Sequence, residues 1–229
     1  MNYELVIFDA DETLLDFEKA EEFAFEKAMK HFNIQYDREN HLKNYHEINK
    51  AVWSEFEKEL ITAEDLKVER FKRLFHRLNI DLDPVEVNNQ YMNNLCSACF
   101  ILDGAIEILE ELHGKVKLAL ITNGLLKVQD GRIRKSHIAK YFEAIVISEE
   151  AGVAKPNPKI FEYTLKELGH TNKGTVLMIG DSLNSDIKGG VNFGIDTCWF
   201  NPKKLENNSG LKPTYEIKEL NELVNLILK

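Results

Sequence analysis

The chain has 229 residues, with 29 Lys and Arg against 38 Asp and Glu and a formal net charge of −9. A chain of this size buries a sizeable core, as one large domain or as a core with an insert, and 44% apolar with 29% charged residues is an ordinary globular composition. The acidic balance disfavours a role led by attraction to a nucleic-acid backbone or an anionic membrane; a small phosphorylated ligand stays possible where a site is locally positive.

Residues 4–9 form the first short apolar run with strand character. The next stretch has no such run. Helical periodicity fills residues 17–32, 41–60, 63–78 and 84–95, with breaks at 33–38, 61–62 and 79–83. The chain returns to the sheet near Asp103 and Gly104. Strand-like runs then alternate with helical patterns: strand 117–122, helix 125–139, strand 144–148, helix 158–168, strand 175–180, helix 183–193 and strand 195–200. A polar loop covers 201–213, and 217–228 reads as a short closing helix, with a last strand before it as an alternative. Unbroken apolar strands alternating with helices predict an α/β fold with a parallel sheet. The expected architecture is a Rossmann-like three-layer core, residues 1–15 and 98–229, with an inserted all-helical cap domain, residues 16–97.

Residues 1–15 carry Glu4, Asp9, Asp11 and Glu12 and no basic residue, so no signal-peptide n-region is expected there. No apolar run approaches the roughly 18 residues that span a bilayer. Cys96, Cys99 and Cys198 are an odd, low count that fits a reducing, cytoplasmic setting. Cys96 and Cys99 have C-x-x-C spacing, but a zinc site wants a second ligand pair and a redox pair wants a helix N-terminus after a strand. They are expected as buried small apolar side chains. His41 and His46 lie five apart, off a common helix face, and are expected at the surface.

Ligands of an open parallel sheet bind at the carboxyl ends of its strands. There the sequence places Asp9-Ala-Asp-Glu-Thr13, Thr122-Asn-Gly124, Lys155-Pro-Asn-Pro158 and Gly180-Asp-Ser-Leu-Asn-Ser-Asp186. Clustered carboxylates repel one another, and a hard cation removes that conflict. Mg²⁺ takes oxygen ligands and combines one or two carboxylates with substrate phosphate. Asp9 and Asp181 are the expected carboxylates. Thr122, Lys155 and backbone N–H groups after the first two strands are expected on phosphate oxygens. Asp9 and Asp11 can divide nucleophile and proton carrier between them.

These four segments, in this order, resemble the four motifs of the haloacid dehalogenase-like superfamily of phosphatases, and the helical insert stands in the place of a type 1 cap. The strings at 9–14, 146–157 and 197–201, with Asn49-Lys-Ala-Val-Trp53, are similar to the noncanonical pyrimidine 5′-nucleotidase branch. At Glu12 the chain departs from the wider superfamily, in which glycine is common.

The resemblance implies a Mg²⁺-dependent phosphomonoesterase, with Mn²⁺ as a substitute, that hydrolyses pyrimidine nucleoside 5′-monophosphates through an aspartyl-phosphate. Asp9 would be the nucleophile and Asp11 the general acid and base. The metal would be held by the carboxylates of Asp9 and Asp181 and the carbonyl of Asp11, with Asp186 behind them. Thr122, Asn123 and Lys155 would bind substrate phosphate. A helical cap excludes bulk water and selects the leaving group, and Phe17, Asn49, Lys50 and Trp53 are the expected nucleoside contacts. The partner is a small-molecule phosphomonoester, with neither nucleic acid nor membrane involved. Phosphatases of sugar phosphates or phosphoglycolate share the motifs. A phospho-accepting receiver domain is disfavoured by the insert and by an acceptor after the first strand.

Overall fold

The computed structural model describes residues 3–58 and 60–228. β1 (Leu5–Phe8) is four apolar residues buried on both faces. The chain then runs through α1 (Phe17–His31), α2 (Lys43–Glu57), α3 (Ala63–Leu78) and α4 (Pro84–Cys96). After these come α5 (Ala105–Leu112), β2 (Lys117–Thr122), α6 (Leu126–Gln129), β3 (Ala144–Ile147), α7 (Ser148–Ala151) and α8 (Pro158–Glu167). β4 (Val176–Gly180), α9 (Lys188–Phe193), β5 (Asp196–Phe200), β6 (Tyr215–Ile217) and α10 (Leu223–Leu228) complete it. Among the described residues, no helix is long and apolar enough to cross a membrane.

The strands form one six-stranded parallel sheet in the order β3-β2-β1-β4-β5-β6. Side chains alternate across it. Val6, Phe8, Leu118, Leu120, Leu177 and Ile179 pack with Ile108, Leu109 and Leu112 of α5 and Leu223 and Ile227 of α10. Leu5, Ile7, Ala119, Ile121, Val176 and Met178 pack on the other face with Ile160 and Phe161 of α8 and Phe193 of α9. Helices therefore cover both faces, which is the three-layer α/β arrangement.

Several elements differ from expectation, among them α7, which starts at Ser148 where a strand end is expected, and the helix expected over 183–193, which is a wide turn to Ile187 with α9 starting at Lys188. α5 is not among the expected helices, although Ala105, Ile108, Leu109 and Leu112 carry i, i+3, i+4, i+7 spacing. The helix expected over 125–139 ends at Gln129 and continues as a wide turn over Asp130–Arg134, where the Lys135 N–H reaches back to the Asp130 carbonyl; Gly131 in its middle weakens regular helix. The closing helix starts at Leu223 rather than 217, because 215–217 pair with β5 as a strand.

The chain divides into two compact units, residues 1–17 with 99–229, and residues 18–98. The second is helical. Its starts and stops follow local chemistry. Thr62 and Asp65 make a reciprocal capping box at α3, Asn79 ends that helix in the left-handed region at φ 51°, and Asp83 caps α4 with Pro84 in its first turn. Phe25 stacks on Tyr45 with ring centroids 4.6 Å apart, and Phe71 and Tyr91 close the aromatic core.

Candidate functional site

β1 and β4 are neighbours at the point where the strand order reverses, and their register pairs Phe8 with Ile179. The next residue of β1's line, Asp9, therefore emerges beside Gly180 and Asp181. The Asp9 N–H donates to the Ile179 carbonyl at 2.8 Å. Thr13 ties the two strand ends together: its hydroxyl donates to Asp9 Oδ2 at 3.4 Å and accepts from the Asp181 N–H at 3.1 Å. Asp9, Asp181 and Asp186 each offer a carboxylate oxygen within 4.8 Å of the others. Gly180 permits that crowding, since a Cβ there would lie 2.3 Å from the Asp186 carboxyl carbon.

Lys155 enters this group from the loop before α8. Its Nζ donates to Asp9 Oδ1, to Asp186 Oδ1 at 2.8 Å and to the Ile121 carbonyl at 2.8 Å, which occupies all three N–H groups. Asn123 fixes the lysine's backbone from the end of β2: its Oδ1 accepts from the Lys155 N–H at 2.9 Å and its Nδ2 donates to the Lys155 carbonyl at 2.8 Å. Asp186 is fully engaged by protein donors, with Ser185 Oγ on Oδ1 at 3.2 Å and the Ser182 N–H on Oδ2 at 3.0 Å.

The electrostatics follow from two buried carboxylates and a half-buried one facing one buried ammonium. Burial pushes the Asp9 carboxyl well above the usual range; Lys155 opposes this, while Asp186 and Asp181 reinforce it. Burial and the Asp186 charge push Asp181 up to about 7. For Lys155 burial favours the neutral amine, but the Asp186 and Asp9 charges outweigh it and hold the ammonium above its ordinary value. The excess of negative charge on hard oxygen donors suits a small divalent cation such as Mg²⁺ or Mn²⁺. The residues present therefore fit the expected metal.

Asp11 stands two residues past Asp9. Its Oδ1 accepts from Arg132 Nη1 at 2.7 Å and its Oδ2 from Gln129 Nε2 at 2.8 Å. The same Gln129 nitrogen donates to Thr122 Oγ1 at 2.7 Å. Gln129 and Arg132 are absent from the sequence-derived site. Glu12 adopts φ 60°, the left-handed conformation that favours glycine. Its carboxylate gives it a local function there, because Oε1 accepts the Phe17 N–H at the start of α1 at 3.0 Å.

The other expected nucleoside contacts are distributed differently. The Phe17 ring lies 5.1 Å from the Arg132 guanidinium. Asn49 on α2 is buried and donates to Glu21 Oε1 at 2.8 Å, with its own Oδ1 unpartnered. Lys50 is exposed and Trp53 half-buried, edge-on to Phe56 at 5.8 Å. Cys96 and Cys99 correct an expectation: neither is in a disulfide, and both are half-buried rather than buried, while Cys198 is in the core. Cys96 lies in the last turn of α4 and Cys99 just beyond it, where the polypeptide leaves the helix.

Comparison with known proteins carries the site further. The chain is 36% identical over 229 residues to the pyrimidine 5′-nucleotidase YjjG of Escherichia coli, covering 100% of both. It is 35% identical to the pyrimidine 5′-nucleotidase PynA of Streptococcus pneumoniae, covering 100% of this chain and 97% of that one. The structure of the HAD-hydrolase YfnB of Bacillus subtilis, solved bound to magnesium, superposes with a TM-score of 0.92 at 32% identity, covering 99% of each chain. Residues 3–194, which include every strand-end residue described above, match the haloacid dehalogenase-like hydrolase family. A parallel sheet with acids at the reversal of its strand order, full-length relatives and that match agree: the chain belongs to the haloacid dehalogenase-like hydrolase family.

Proposed function

We propose that the protein is a Mg²⁺-dependent phosphomonoesterase of the cytoplasm that hydrolyses pyrimidine nucleoside 5′-monophosphates, UMP, dUMP, dTMP and modified analogues among them. The observation that carries the reaction class is the second carboxylate: Asp11 follows Asp9 at the same strand end, and separate donors hold its two oxygens. Asp9 attacks phosphorus in line, so that its bond to phosphorus forms as the bond to the nucleoside oxygen breaks. Asp11 gives that oxygen a proton, then takes one from the water that opens the aspartyl-phosphate and releases inorganic phosphate. Lys155, bonded to Asp9 and Asp186, offsets the charge of a phosphate dianion beside a carboxylate. The Thr122 hydroxyl and the N–H groups near Asn123 donate to phosphoryl oxygens. The carboxylates of Asp9 and Asp181 and the carbonyl of Asp11 would hold the cation, with Asp186 supporting them. When bound, the cation neutralises charge on the transferring group.

The pyrimidine assignment is supported by the two full-length relatives named for that activity. Phe17, Asn49, Lys50 and Trp53 are the proposed nucleoside contacts, with the helical unit serving as the cap. A phosphate-release screen across nucleotides and sugar phosphates tests the reading. Turnover of UMP, dUMP or dTMP that stops with EDTA and returns with Mg²⁺ is expected. Strong activity on sugar phosphates with none on these nucleotides overturns the substrate class, and metal-independent turnover overturns the cation.

A further inference from the structure

We propose that Gln129 is a positioning residue that sets the phosphate-binding hydroxyl of Thr122 and the carboxylate of Asp11 together, with Arg132 steadying the far oxygen of Asp11. This rests on the phosphomonoesterase reading. Gln129 and Arg132 are 2% and 0% exposed, so bulk water does not compete for the hydrogen bonds that Gln129 Nε2, Gln129 Oε1 and Arg132 Nη1 make. Gln129 Nε2 donates to Asp11 Oδ2 at 2.8 Å and to Thr122 Oγ1 at 2.7 Å, while its Oε1 accepts from Arg132 Nη1 at 3.1 Å. The orientation of the amide is dictated by its neighbours. A carboxylate only accepts and a guanidinium only donates, so the nitrogen faces Asp11 and the oxygen faces Arg132.

Two consequences follow for the chemistry. Thr122 Oγ1 receives a hydrogen bond, so its own proton turns away from Gln129 and is presented as a donor, the form that a phosphoryl oxygen requires. Asp11 is gripped at both oxygens by groups that belong to one turn, the end of α6 and the residues after it. Arg132 is itself held between Asp11 and the Phe17 ring. Gly124 leaves the space, since a Cβ there would stand 2.8 Å from Gln129 Cγ. The hydroxyl that binds phosphate and the acid that protonates its leaving group are thus set by one amide.

Gln129→Met keeps the length of the side chain and removes both donors. The test measures kcat and KM with Mg²⁺ on UMP and on p-nitrophenyl phosphate, whose leaving group needs no proton, beside thermal melting. The expected result is a fall in kcat on UMP of about 10- to 100-fold, with KM little changed, a smaller fall for the aryl phosphate in single-turnover phosphorylation, and an unchanged Tm. Arg132→Lys, which retains a donor for Asp11, should keep more of the kcat than Arg132→Met. Wild-type kcat in Gln129→Met, or equal losses on both substrates with a lowered Tm, overturns the positioning role. A wild-type protein inactive on both substrates overturns the phosphomonoesterase reading instead.

Discussion

Arg70 in the helical unit and Lys155 in the sheet unit are both buried cations, and their surroundings differ. Arg70 donates to Asn88 Oδ1 at 2.7 Å and to the Tyr45 hydroxyl at 3.4 Å, and its guanidinium lies 4.8 Å from the centre of the Tyr91 ring. Its direct partners are neutral and local. Lys155 instead joins two carboxylates, with a third nearby. A cation satisfied by amides and rings is a packing solution. Several carboxylates around one ammonium are poor packing on their own, and they make sense when a further positive charge and a phosphate dianion complete the set. The two regions therefore predict opposite responses to mutation.

The largest expected effect is at Asp9. Asp9→Asn should lower phosphate release by at least about 10⁴-fold, as loss of a nucleophile does in other enzymes, without lowering Tm in EDTA, because it removes one charge from a crowded acidic site. Retained turnover would remove the nucleophile assignment. A fall in Tm would show that the acids are stabilising after all, and the contrast with Arg70 would collapse.

The same crowding makes stability depend on pH and metal. Asp181 is pushed up to about 7 and Asp9 is raised with it, against about 4 in an unfolded chain. The folded state then binds more protons than the unfolded state between those values, so metal-free stability falls as pH climbs through that window. Mg²⁺ should raise Tm more near pH 8 than near pH 5, by the equivalent of about 2.7 kcal/mol at a hundredfold excess over Kd. Melting curves in EDTA and in Mg²⁺ at the two pH values decide this; a Tm indifferent to Mg²⁺ near pH 8 breaks the argument.

The strand ends were legible because parallel strands buried on both faces read as unbroken apolar runs, and the polar residue that stops each run marks the crevice. Asp9, Thr122 and Asp181 are found that way. Gln129 and Arg132 are not at a strand end. Their signal is one of phase: Leu125, Val128 and Ile133 set an apolar helical face, and positions 129 and 132 fall on it. Polar residues in an apolar phase are the mark of a buried network. The conformation of Glu12 is not local knowledge either, since it depends on the Phe17 N–H that its carboxylate caps. α5 is the reverse case: its i, i+3, i+4, i+7 signal is plain in the sequence, yet no helix is among the expectations there.

In the helical unit, Arg70→Leu should cost about 1–3 kcal/mol in urea denaturation, because Asn88 Oδ1 loses the guanidinium donor it accepts from inside the fold. kcat per folded molecule should stay as it is. That outcome is the mirror image of Asp9→Asn, with stability lost and chemistry kept. Unchanged stability would mean that the aromatic core alone holds this unit together.

The smallest effect separates two slopes of the same sign. Buried Glu21 accepts from His46 Nε2 at 3.0 Å and from Asn49 Nδ2 at 2.8 Å. The hydrogen bond to Glu21 raises the His46 pKa against the opposing effect of burial. A raised histidine pKa contributes stability that is fully present below about 6.5, its unfolded value, and is lost as pH rises through the folded value. His46 is 42% exposed at its side chain, so screening keeps the contribution below about 1 kcal/mol. The acids of the sheet unit also lose stability with rising pH, but Mg²⁺ suppresses their slope and leaves that of His46 untouched. In Mg²⁺, then, the advantage of wild type over His46→Ala should shrink as pH climbs above about 6.5. An advantage that grows with pH would mean that the Glu21 contact is not ionic.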